Sequence, residues 1–115
     1  MGFKSDLDAL ILGVLQSSPA HGYEIAQRVK KISASALELG ENRLYPSLKA
    51  LEDAGCLEAQ WEPQDARPPR KVYRLTAEGR RVLDSKKSAW TAFSEAVNLI
   101  LVPGMAQEVP NGKVS

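Results

Sequence analysis

Between Thr76 and Pro103 nothing interrupts a helical pattern, and this one segment constrains the chain most. Thr76 is a good N-cap, and Leu83, Trp90 and Val97 follow seven residues apart, as do Phe93 and Ile100. The spacing is that of a coiled-coil seam, with Lys86 as its imperfect member. A helix over residues 76–101 has 26 residues and is about 39 Å long. The 75 residues before it would make a globule only about 29 Å across. The helix therefore overhangs its own domain and its apolar seam needs another surface. A second copy of the chain, related by a two-fold axis, is the simplest one.

The preceding segments are short. Leu7, Leu10, Ile11, Val14 and Leu15 keep the i, i+3, i+4 spacing and predict a helix over residues 6–16. Ser5 is its expected N-cap, with Asp6 and Asp8 at the positive end of the helix dipole. Ile25, Val29 and Ile32 predict a second helix over residues 22–32, followed by a loop to Gly40. A third helix is expected over residues 42–54, where Leu48 and Leu51 fall within about 40° of Leu44 at 100° per residue. Pro46 must sit near the first turn or bend this helix, and Gly55 ends it. Leu57, Ala59 and Trp61 alternate with Glu58, Gln60 and Glu62, as in a half-buried strand. Residues 63–70 hold three prolines and are expected as a turn or flexible loop before a second strand over 71–75. Residues from about Val102 onward read as a disordered tail.

Three helices, a hairpin and a long helix make a mostly α chain with a small β-hairpin: a winged helix-turn-helix (residues 5–75), a dimerisation helix (76–101) and a tail (102–115). Charge fits that order. The net charge is only +1, but from Arg67 to Arg81 six basic residues face Glu78 alone. A concentrated basic patch on a nearly neutral protein suits a polyanion. A helix in the major groove needs one buried edge and one edge carrying donors. On the third helix Asn42, Arg43 and Lys49 are candidate contacts to bases or phosphates, and Pro46 and Ala50 allow close approach. Tyr45 is a boundary residue, with a hydroxyl to phosphate and simple core packing both open. Arg67, Arg70 and Lys71, placed at the hairpin tip, are candidates to straddle backbone phosphates or enter a minor groove. Two copies would read a pseudo-palindromic operator in double-stranded DNA.

The segments HGYEI (His21–Ile25), RLYPSLKALEDAGCLE (Arg43–Glu58) and RKVYRLTAEG (Arg70–Gly79) resemble the signature segments of PadR-family transcriptional regulators. The resemblance covers roughly residues 7–101. It implies a homodimeric DNA-binding repressor, often released from DNA by a small molecule. One helix after the wing resembles the family's short subgroup, some members of which bind flat aromatic compounds between the terminal helices against a tryptophan. Trp90 matches that position, with Phe93 and Val97 as lining residues; Leu83, Trp90, Phe93, Val97 and Ile100 would form the dimer interface. Cys56 and Val72 stand where the family more often has an aliphatic and an aromatic residue.

Other classes find little support. There is no phosphate-binding glycine loop, CxxC or HExxH, and one cysteine with one histidine makes a poor catalytic pair, so no enzyme, metal or cofactor is expected. His21 reads as a turn residue and Cys56 as a small buried hydrophobe. No apolar run approaches the roughly 20 residues of a membrane span, and a single cysteine suits a reducing cytoplasm. On Trp90 dimer core and ligand platform stay open. The rival reading of the whole chain is a winged-helix module that docks a protein and binds no specific DNA.

Overall fold

The fold is that of a computed structural model and is described for residues 6–104. Its elements are α1 (Leu7–Val14), β1 (Ala20–His21), α2 (Gly22–Ile32), α3 (Glu41–Asp53), β2 (Leu57–Gln64), β3 (Arg67–Leu75) and α4 (Ala77–Leu101). This is a winged helix followed by one long helix. The expected tail falls, from Met105 on, outside the described residues.

Each helix carries its own stop and start signals. The Asp6 carboxylate accepts the Ala9 N–H at 3.1 Å and caps α1. The cap is thus Asp6, and the helix is shorter than expected; Ser5 lies outside the described residues. His21 caps α2, its Nδ1 accepting the Glu24 N–H at 3.3 Å. α3 starts from Gly40 without a side-chain cap and runs unbroken through Pro46, which sits beyond the first turn. At its end Gly55 adopts φ +82°, and the Cys56 and Gly55 N–H groups donate back to Leu51 and Glu52 carbonyls at 2.9 and 3.0 Å. That left-handed turn satisfies the last carbonyls and needs glycine.

The core gathers Ile11, Leu12 and Leu15 of α1, Ile25 and Val29 of α2, and Leu44, Leu48 and Leu51 of α3 under Leu57, Tyr73 and Leu83. Arg28 stitches the α1–β1 turn from below, donating to the carbonyls of Val14, Ser18 and Pro19 at 2.9, 2.8 and 3.1 Å.

Two expectations about the sheet are corrected. The sheet has three strands in the order β1-β3-β2, because Ala20 and His21 pair with Tyr73 and Val72. The proline-rich stretch is mostly strand: β2 continues through Pro63, β3 begins at Arg67, and only Asp65 and Ala66 turn. Beyond Val72 the strand β3 has one neighbour, so the prolines remove donors that no second strand would use. A register shift between Glu62 and Gln64 places the extra residue on β3, where Pro68 and Pro69 stand.

α4 is rooted at the far side of the hairpin. The Thr76 hydroxyl accepts the Gly79 N–H at 3.0 Å and donates to the Gly55 carbonyl at 2.6 Å. A Cβ on Gly79 would lie 2.1 Å from the Cys56 carbonyl oxygen, so only glycine allows this approach. Lys86 and Lys87 then hold α1 through Asp6 and Gln16 at 2.8 and 2.7 Å. The molecule measures 62 × 28 × 23 Å, its long axis far exceeding the globule expected for the winged-helix part.

Candidate nucleic-acid interface

α3 presents two unlike edges. Leu44, Leu48 and Leu51 are buried in the core, while Asn42, Arg43, Tyr45, Pro46, Lys49 and Ala50 are exposed. The exposed edge is not uniformly basic. Lys49 pairs with Asp53 at 3.3 Å, whereas Arg43 has no ion-pair partner among the described residues. Tyr45 is half-exposed with its ring laid on Gly22: a Cβ there would stand 2.6 Å from the ring. The glycine of the HGYEI segment thus lets α2 and α3 approach at the exposed surface, a role its local pattern does not reveal.

The wing sorts its residues by face. Leu57 opposes Leu75, Ala59 opposes Tyr73, and Trp61 opposes Lys71, all on the inward face. Arg74 and Arg70 alternate onto the outward face, opposite Glu58 and Glu62. Arg67 flanks the turn and is exposed, as is Arg70. Lys71, expected at the tip with them, lies inside β3. Its Nζ donates to Glu52 of α3 at 3.1 Å and lies 5.8 and 5.6 Å from the Trp61 and Tyr73 ring centroids. The hydrogen bond to Glu52 holds the ammonium pKa above the usual lysine value. Burial pushes the Tyr73 phenol up as well. Glu52 and Trp61 are thus neighbours of the candidate surface that sequence reasoning did not assign. The contact joins residues on separate elements, which no periodicity reports.

The seam on α4 is divided. Leu83 is 4% exposed and belongs to the chain's own core, which takes it off the surface available to a partner. Lys86, the seam's odd member, pairs with Asp6. From Trp90 the apolar residues open to solvent: Trp90 is 45% and Ile100 77% exposed, with Leu99 and Leu101 also outward. Phe93 and Val97 are half-buried, and the Phe93 ring lies 6.0 Å from that of Trp90. Trp90 also borders an apolar groove of about 520 Å³ between α1 and α4, lined by Ala9, Leu10, Gly13 and Leu83.

Among the described residues no helix is long and apolar enough to cross a membrane, and no group of side chains is arranged to hold a metal. The profile of the transcriptional regulator PadR-like family matches residues 11–85, which span all of the winged helix except its first turn. The chain belongs to that family. It is a family of transcriptional regulators, not of enzymes. The chain is similar to the solved PadR-family regulator of Eggerthella lenta, at 32% identity and a TM-score of 0.72, covering 87% of this chain and 85% of that one. It is similar to Bacillus subtilis PadR solved in complex with operator DNA, at 29% identity and a TM-score of 0.65, covering 70% and 45%. The negative transcriptional regulator PadR of Bacillus subtilis is 30% identical over 73 residues, 64% of this chain and 40% of that protein. This PadR-like chain spans less than half the length of those two B. subtilis matches.

Proposed function

We propose that this chain is a homodimeric repressor that recognises a pseudo-palindromic DNA operator. In this reading Asn42, Arg43 and Lys49 face base edges or phosphates in the major groove, with Tyr45 and Pro46 beside them. Arg67 and Arg70 meet the phosphate backbone from the wing. One observation carries the reading: a helix backed by three buried leucines and exposing Arg43 lies beside a two-stranded wing with Arg67 at its tip. The similarity to a regulator solved on its operator supports the same use of these elements.

The exposed half of α4 pairs with that of a second copy, so that two recognition helices stand a fixed distance apart. A flat aromatic effector then fits between the terminal helices against Trp90, Phe93 and Val97. It releases DNA by favouring an arrangement with the wrong spacing, and only by its differential affinity for that arrangement.

Selection from a random duplex pool tests the DNA reading. The expected result is a two-fold consensus with half-sites about one helical turn, or a multiple of it, apart. Arg43→Ala and Lys49→Ala should weaken binding to that consensus in a folded dimer. Recovery of no consensus makes the chain a protein-docking module instead, and intact affinity in both variants overturns the major-groove assignment of α3. For the effector, Trp90 emission in a Trp61→Phe background should quench saturably with planar aromatic compounds; no response across a broad panel rejects the pocket.

A further inference from the structure

We propose that Lys71 is a positioning residue that sets the angle between the wing and the recognition helix, not a contact to phosphate. The inference rests on the DNA-binding reading above for its consequence, though the contact itself exists without DNA.

Three observations carry it. First, the Lys71 ammonium is committed to its own chain: it donates to Glu52 at 3.1 Å and lies over the Trp61 and Tyr73 rings, 5.8 and 5.6 Å from their centroids. A Lys71 that turned to a phosphate would give up a charged hydrogen bond and two ring faces. It would also leave the Glu52 carboxylate unpaired beside DNA. Arg67 and Arg70 carry no such obligation, having no ion-pair partner among the described residues.

Second, the location is the hinge of the wing. β1 supports β3 only at Tyr73 and Val72, so Lys71 is the first residue beyond the three-stranded region. From there to Asp65 the wing is a free two-stranded ribbon, a structure with little rigidity of its own. A link from this point to α3 ties the direction of the ribbon to the recognition helix beyond the supported part of the sheet. Third, the link is shielded. Each partner side chain is only 33% exposed, and the Trp61 ring, itself 64% exposed, lies 5.8 Å from the ammonium. The ring contact gives a role to a tryptophan that is otherwise exposed.

The test uses the full chain and a duplex recovered from the random pool by the wild type. Lys71→Met and Glu52→Gln should each lower affinity by about tenfold, the size of a shielded pair with its ring contacts. Their effects should not add, the salt slope should stay at the wild-type value, and discrimination against scrambled duplex should fall. Exchanging the charges (Glu52→Lys with Lys71→Glu) should recover part of the affinity, the ion pair returning without the ring contacts. A direct phosphate contact gives the opposite pattern. Lys71→Met would then cut the salt slope by about 0.9, Glu52→Gln would leave binding unchanged or tighter, and the exchanged pair would bind worst.

NMR of the DNA-free chain separates this inference from the DNA reading. The Lys71 ε-methylene should be shifted upfield by the two rings, and Glu52→Gln should abolish the shift. An unshifted resonance in the wild type overturns the clamp whatever the DNA result. A shifted one with no recovered duplex overturns the DNA reading alone.

Discussion

From Ala77 to Lys87, α4 is held by its own chain. Gly79 presses on the Cys56 carbonyl, Leu83 fills the core, and Lys86 and Lys87 hold α1. From Trp90 on, the same helix and its C-cap expose Trp90, Leu99, Ile100, Leu101 and Val102. One heptad runs through both halves, interrupted at Lys86 alone; what covers it is what differs. A heptad pattern therefore reports that a face is to be buried, and not by which chain. The difference also separates stability from assembly. Damage to the first half should unfold the molecule, whereas damage to the second should leave a folded chain with altered partners.

Gly79→Ala should show this most strongly. A methyl group 2.1 Å from a backbone oxygen forces α4 off the hairpin. The expected loss is about 4 kcal/mol, seen as a fall in Tm of some 15 °C or more. Leu83→Ala should follow at about 3 kcal/mol through the cavity it leaves. A Leu83→Ala chain that keeps its stability but loses self-association would reverse the division of the seam.

Ile100→Asp probes the other half. Its folding free energy should stay within about 0.5 kcal/mol of wild type in the monomer, while self-association weakens about 100-fold in sedimentation, as for an interface hot spot. Lys86→Met should cost about 1 kcal/mol, because its pair with Asp6 is largely shielded and ties α4 to the cap of α1. Smallest is the alkaline response of the wing. The folded pKa values of Lys71 and Tyr73 both lie above their unfolded values. Between the unfolded and folded values the native state holds more protons, so the contribution is complete below about pH 10 and declines as pH rises further. Thermal melts from pH 8 upward should show that decline, and Glu52→Gln should remove the Lys71 share of it while the burial-driven Tyr73 share stays.

Much of this architecture is legible in the sequence. The bounds of α2, the Thr76 cap and the leucine edge of α3 follow from spacing and capping chemistry, which are local. The stretch from Pro63 to Pro69 misleads because proline is read as a breaker, although an edge strand with one neighbour tolerates it. β1 is two residues long and has no periodicity to read. In the candidate interface the exposed positions of α3 could be listed from the wheel alone, but Lys71 could not be separated from Arg67 and Arg70. Its distinction is the carboxylate of Glu52, which lies 19 residues away on another element. Leu83 likewise looks like any seam residue until the core is assembled around it.

The measurement that reaches the central claim most directly is fluorescence anisotropy of the purified chain on DNA from its own upstream region, across a salt series with scrambled competitor. The account predicts two chains per duplex, selective binding, and a steep salt dependence of about 0.9 per neutralised phosphate. Binding no tighter than to the competitor, both there and on any duplex the random pool offers, would contradict it.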